Sequence, residues 1–205
     1  MVDERLYRSL KITALVMALG WVAWTFYDGF VRERSAEVIT LEAAHKAFAD
    51  GLYEKARSGY REILDAPGAG RTMRLDARRG LARTLMELGE HEAALRQFDR
   101  AIDAAPEFGA AYANRGILYD RMGRYERAMA DYRKALELDP SLDEGPGFLT
   151  RFMRNQAEQS PTIGDRADYL AAQLAKPPGQ RLLRVPEKDA EQQSYRKDEY
   201  VETGE

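Results

Sequence analysis

The sequence predicts an all-α fold: a solenoid of about three helical hairpins with a capping helix, preceded by one transmembrane helix. Three observations predict it. The stretch "GRYERAMADYRKALELDP", Gly123 to Pro140, recurs 34 residues upstream as "GEHEAALRQFDRAIDAAP", Gly89 to Pro106. A run of sixteen residues, "ITALVMALGWVAWTFY", Ile12 to Tyr27, carries no charge. Hydrophobic residues make up 44% of the 205-residue chain and charged residues 32%, which suits helices with one buried and one solvated face. The chain holds no cysteine, which excludes disulfides, iron–sulfur clusters and thiolate zinc sites. A net charge of -3 points to neither a strong nucleic-acid binder nor an acidic solvating chain.

Residues 1–11 read as a short N-terminal tail and residues 12–30 as the transmembrane helix. Sixteen helical residues span about 24 Å against about 30 Å of hydrocarbon, and the flanks extend the reach. Lys11 can snorkel, and Trp21, Trp24 and Tyr27 lie where an interfacial aromatic belt forms. A buried core helix is the competing reading, but the apolar residues cover every face and no other segment is apolar enough to wrap them. No small-x-small cleavage site follows, so an uncleaved anchor is expected. Arg5, Arg8 and Lys11 precede the run, whereas Asp28 lies between it and Arg32 and Arg34. That bias favours a cytoplasmic N-terminus, with the repeats in the periplasm of a bacterial inner membrane; the opposite orientation is the alternative.

After a linker at 31–39, a solenoid is expected over residues 40–158, with repeats at about 40–67, 75–106 and 109–140. "GLYEKARSGYREILDAP", Gly51 to Pro67, is a third copy of the recurring stretch. Each copy follows a partner helix: Thr40 to Asp50, Asp76 to Leu88, and Ala110 to Met122. Ala82 and Gly116 in the first helices let backbones approach closely, as do Ala94, Ala101, Ala128 and Ala135 in the second. Phe98 and Tyr132 fill the space between units. Gly51, Gly89 and Gly123 supply the left-handed residue that ends one helix before a tight turn. Pro106 and Pro140 stop the second helices. "GAGRTMRLDA" adds four residues between the first two units and is expected to loop out on one face. Phe148 to Glu158 carries apolar residues at helical spacing and is the expected cap. A short helix is expected within 159–176, and an extended or disordered tail over 177–205.

This period, with two helices per unit, resembles the tetratricopeptide repeat family. The resemblance covers about Thr40 to Pro140, close to half the chain. It is closest in the third unit, through Tyr112, Gly116, Tyr119, Tyr125, Ala128 and Pro140. It implies a concave groove lined by the first helix of each unit. The groove positions it implies are Asp76, Arg79, Arg83, Met86 and Glu87 in the second unit. In the third they are Ala110, Ala113, Asn114, Ile117, Asp120 and Arg121. Arg79, Arg83, Met86, Asn114, Ile117 and Arg121 are the candidate partner-binding residues. Arg79, Arg83 and Asn114 partly resemble positions that some members use to grip a peptide's C-terminal carboxylate, a task that suits arginine's planar fork. The pattern departs from the family at Arg83, where asparagine is usual, and in the first unit, which offers Leu41 and His45. A solvated face with internally paired charges is the alternative.

Arg71, Arg74 and Arg78 lie near one helical face and suggest acidic lipid headgroups or RNA, but no aromatic residues interleave with them. His45 and His91 lie in different repeats and form no His-x-x-x-His pair, and "GAGR", Gly68 to Arg71, lacks the Gly-Lys-Ser/Thr of a phosphate loop. No catalytic residue, cofactor or nucleic-acid partner is expected. The function expected is a membrane-anchored, non-enzymatic adaptor that binds a protein or peptide in its groove, in assembly or quality control of an envelope complex. The alternative is a stoichiometric structural subunit of a membrane complex, with the transmembrane helix as an interface.

Overall fold

The computed structural model describes residues 4–26, 35–144 and 162–184, with side chains of the first helix described over 10–25. The chain divides into two units, Met1–Ile39 and Thr40–Glu205.

In the first unit, helix α1 spans Glu4–Phe26. Leu10, Ile12, Leu15, Val16, Met17, Leu19, Trp21, Val22 and Trp24 are each 56% to 70% exposed. Among the described residues no helix is long and apolar enough to cross a membrane. The expectation of a spanning helix at 12–30 is therefore not supported. The first turns of α1 carry Glu4, Arg5, Arg8 and Lys11, and over the described residues its uncharged part rises about 22 Å against about 30 Å of hydrocarbon.

In the second unit, three hairpins follow one another. They are α2 (Ala36–Ala49, its first residues still in the first unit) with α3 (Tyr53–Asp65), α4 (Arg71–Glu87) with α5 (His91–Ala104), and α6 (Gly109–Arg121) with α7 (Tyr125–Leu138). A 3₁₀ turn at Pro140–Asp143 and helix α8 (Ile163–Leu174) complete the described helices. Each hairpin turns on a glycine with positive φ: 73° at Gly51, 75° at Gly89 and 74° at Gly123. The next residue's amide then reaches back five residues, from Leu52 to Ala47 O (2.8 Å), Glu90 to Leu85 O (2.9 Å) and Arg124 to Tyr119 O (2.8 Å). These bonds satisfy carbonyls that the helix end would otherwise orphan.

Small and large residues alternate in the core. Ala56, Ala94 and Ala128 are fully buried, and so are the aromatic rings of Tyr60, Phe98 and Tyr132. A Cβ added at Gly80 would stand 2.4 Å from the Tyr60 ring, and one at Gly116 would stand 2.7 Å from Tyr132. Hydrogen is therefore the only side chain these two positions accept without a shift in a packed ring. The third hairpin also holds a buried ionic knot. Arg115 donates to Asp131 through Nε (2.7 Å) and Nη2 (2.8 Å), and to Asp99 through Nη1 (2.8 Å). Burial by itself favours loss of the Arg115 proton, but the hydrogen bonds to Asp131 and Asp99 and the electrostatics of Asp131 and Tyr119 outweigh it and raise its pKa.

Several boundaries differ from the sequence expectations. Helix α2 begins at Ala36, inside the expected linker, because Ser35 O accepts from the amides of Val38 (3.0 Å) and Ile39 (3.2 Å). The "RTMRL" of the four-residue insertion is helical and forms the start of the 17-residue α4. Two of its arginines cap neighbouring helix ends, Arg74 at Ala66 O (2.8 Å) and Arg71 at Ala104 O (3.3 Å). The cap expected at Phe148 to Glu158 lies outside the described residues. Helix α8 packs on α7 instead, burying Ile163, Ala167 and Leu170. It opens with a capping box: the Asp165 amide donates to Thr162 Oγ1 (3.1 Å) and the Thr162 amide to Asp165 Oδ2 (3.0 Å). Of the expected tail, Pro178–Gln180 form a 3₁₀ turn, Arg181–Arg184 lie against α8 without regular secondary structure, and 185–205 lie outside the described residues.

Candidate peptide-binding face

The first helices of successive hairpins stand in a row, α2, α4, α6 and then α8, and polar links cross each seam. His45 of α2 places Nε2 3.0 Å from Asp76 Oδ2 of α4, while its Nδ1 lies 2.8 Å from the Tyr60 hydroxyl of α3. Arg121 of α6 donates to Glu87 of α4 at 3.2 Å. Arg166 of α8 grips Asp120 of α6 with two bonds, Nε to Oδ2 (2.7 Å) and Nη2 to Oδ1 (2.8 Å). A charge-assisted fork of that kind is both stronger and more directional than a single bond.

Arg79 and Arg83 lie one turn apart on α4, the middle helix of the row. The Arg79 guanidinium carbon sits 4.0 Å from the centre of the Phe108 ring, and that of Arg83 sits 4.3 Å from the centre of Phe48. Arg79 also approaches Asp76 at 3.8 Å. An arginine stacked on a ring gives up rotamer freedom but keeps the in-plane donors of its fork. Both side chains are thus pre-positioned, though largely covered; Arg83 is 9% exposed.

The other candidates are placed differently. Met86 and Ile117, 1% and 0% exposed, belong to the hydrophobic core and present no surface to a ligand. Asn114 is 4% exposed, on the helix next to α4. Arg121 is on the row but engaged with Glu87, and its carbonyl accepts from Arg184 Nη2 at 2.6 Å. The structure places Arg79 and Arg83 on α4 and Asn114 on the neighbouring helix, with Arg83, Asn114, Met86 and Ile117 all buried. Ala110 and Ala113, also implied as groove positions, are buried as well.

Sequence reasoning missed three constellations. The Tyr60–His45–Asp76 chain joins three helices across two repeats, and no spacing within one repeat signals it. The Asp120–Arg166 pair joins residues 46 apart, outside the period altogether. The Arg115 knot did leave a signal, because position 115 matches Leu81 at the repeat offset, and a charge in that place demands a partner. Among the described residues no group of three or more His, Asp or Glu side chains is arranged to hold a metal ion.

Comparison with known proteins agrees with this architecture. Residues 74–105 and 109–142 each match tetratricopeptide repeat families. The chain is 43% identical over 51 residues to a UDP-N-acetylglucosamine–peptide N-acetylglucosaminyltransferase of Giardia intestinalis, which is 25% of this chain and 3% of that protein. It is 28% identical over 170 residues to DnaJ homolog subfamily C member 3 of Rattus norvegicus, which is 80% of this chain and 32% of that one. The chain thus spans at most about a third of these two relatives. Among solved structures, the first TPR of Spaghetti (RPAP3) bound to HSP90 peptide SRMEEVD superposes with a TM-score of 0.52 at 20% identity, covering 68% of this chain and 94% of that one. Residues 74–105 and 109–142 therefore resemble tetratricopeptide repeats, and the described residues share the helical-hairpin fold of that solved structure.

Proposed function

We propose that this chain is a non-enzymatic adaptor whose row of first helices binds an extended acidic peptide of a protein partner, in assembly or quality control of an envelope complex. One observation carries the reading: Arg79 and Arg83 stand on successive turns of the middle helix, each guanidinium fixed over an aromatic ring. Fixed donors lose less entropy when a carboxylate arrives, so more of the interaction appears as affinity. The repeat domain of Spaghetti, which shares the fold, is bound to an acidic peptide; that likeness supports the ligand class. Fluorescence anisotropy of labelled SRMEEVD on the detergent-solubilised full chain tests it. A charge-assisted hydrogen bond contributes about 1.5–3 kcal/mol, so Arg79→Ala and Arg83→Ala should each weaken binding by about tenfold or more. Amidating the peptide's acids should remove that difference. Equal affinity for wild type and both variants overturns the reading.

A further part of the proposal is attachment to a bacterial inner membrane with a cytoplasmic N-terminus and periplasmic repeats. The apolar surface of α1 is exposed, and although its uncharged run falls short of a full span, Lys11 and the interfacial Trp21 and Trp24 would extend its reach. Arg5, Arg8 and Lys11 on the N-terminal flank set the orientation. A C-terminal reporter active only in the cytoplasm should then be silent; strong activity reverses the orientation. The same surface also favours the second reading, a structural subunit that buries α1 against its neighbours in a membrane complex. A subunit co-purifies through detergent at fixed ratio, whereas an adaptor is recovered substoichiometrically.

A further inference from the structure

Four residues of this chain, Arg181–Arg184, already lie without regular secondary structure on the last helix of the row. Arg166, Tyr169 and Gln173 occupy one face of α8, at spacings of three and four. Each reads the backbone of the segment that returns over them. Arg166 Nη2 donates to Leu183 O (3.0 Å), Tyr169 Oη donates to Leu182 O (2.7 Å), and the Leu182 amide donates to Gln173 Oε1 (3.0 Å). Arg166 and Gln173 are themselves 9% and 7% exposed, so this is a built polar site and not a surface coincidence.

We propose that this face of α8 is a second peptide-binding site, occupied here by the chain's own Arg181–Arg184 and able to take in its place an extended peptide with an aliphatic residue followed by arginine or lysine. The ligand class follows from what the segment uses. Its backbone bonds are indifferent to side-chain identity. Leu182 is 60% exposed and contributes nothing to selection. Leu183 packs against the core, which sets an aliphatic register. Arg184 Nη2 donates to Arg121 O at 2.6 Å, at the carbonyl end of α6, where the helix dipole favours a cation.

Exchange is physically reasonable because the segment is held mainly by hydrogen bonds that another peptide can replace: those with Arg166, Tyr169 and Gln173, that of Arg184 to Arg121 O, and that of Arg181 Nε to Lys176 O (2.9 Å). It pairs with no strand and has no helical turn of its own, and its apolar hold is a single half-buried leucine. Such segments sit at the low end of local stability. Arg166 also holds Asp120 of α6, so the site adjoins the end of the row. Displacing the segment lengthens the open row by one helix. The site shares no residue with the arginine pair on α4. Binding of SRMEEVD is read in neither test below, so either proposal can fail while the other stands.

The first test is hydrogen exchange on the wild-type full chain. The Leu182 amide should exchange at least about 100-fold faster than core amides such as that of Leu118. Exchange at the same rate as the core makes the segment an integral part of the fold and overturns the proposal. The second test uses the synthetic peptide GQRLLRVP, residues 179–186, as probe. The full chain carrying Leu183→Asp and Arg184→Glu should bind it at least about tenfold more tightly than wild type does. A control peptide with the same two changes should not bind. Equal binding to wild type and variant, equal binding of the control, or unfolding of the variant by circular dichroism each overturns it.

Discussion

The hairpins α4–α5 and α6–α7 are the same backbone closed by different chemistry. Their turns use glycines at φ 75° and 74°, and both bury alanine at matched places, Ala94 with Ala128 and Ala101 with Ala135. Yet where α4 buries Leu81, α6 carries Arg115 tied to Asp99 and Asp131. Where Ala82 and Phe98 occupy one unit, Gly116 and Tyr132 occupy the next. The tyrosine's extra oxygen donates to Asp120 at 3.3 Å, linking it to the Arg166 pair at the end of the row. The repeat thus constrains positions where φ or backbone approach leaves no choice. At the large positions it constrains only that volume is filled and polar groups are paired.

The sharpest way to break this comparison is to remove the knot. Arg115→Ala leaves Asp131 buried without its cation and should cost about 3 kcal/mol, the low end for a broken buried pair because Asp99 is half exposed. Copying the apolar solution, Arg115→Leu with Asp131→Leu, should recover most of that loss in urea unfolding. If the double variant is no better than Arg115→Ala, the two chemistries are not interchangeable at this seam.

Next in size is the glycine beside the tyrosine. Gly116→Ala drives a Cβ into a fully buried ring and should cost about 1–3 kcal/mol by overpacking. Ala82→Gly should also destabilise in the same melting experiment, by about 1–2 kcal/mol, through lower helix propensity and the loss of a fully buried methyl. A Gly116→Ala variant as stable as wild type would mean that the Tyr132 ring moves aside freely.

The turns should behave alike. Gly89→Ala and Gly123→Ala each put a Cβ into left-handed backbone, at about 1–2 kcal/mol. Clearly unequal melting shifts would show that the shared φ hides different strain. The smallest effect should come from Glu87→Gln, which weakens a partly exposed pair with Arg121 by no more than about 1 kcal/mol.

The repeats were legible in the sequence because their determinants are local. A glycine at a helix end and alanines at helical spacing act within one unit and recur with it. The second helices were equally plain, since each buries one stripe and wets the other. What escaped notice acts between units or beyond the period. The arginines at the start of α4 reach carbonyls at the ends of α3 and α5, contacts that no window on α4 alone reveals. Of the six candidate binding residues, Arg79 keeps some access to solvent on α4, whereas Arg83, Met86, Asn114 and Ile117 are buried. Their helical phase was read from the family pattern, and phase does not report how closely neighbouring helices stand.

The seam links have a consequence for the order of the units. Suppose the second and third hairpins traded places. Glu87 and Arg121 would still meet, with their roles reversed. His45, however, would face Ala110 in place of Asp76, and the nearly buried Arg166 would face Met86 in place of Asp120. Two of the three seams would each lose a polar partner, one of them around a guanidinium with little water to turn to. The units share a shape but not an address: each outer seam admits only one neighbour, so the chain specifies the sequence of its repeats as well as their number.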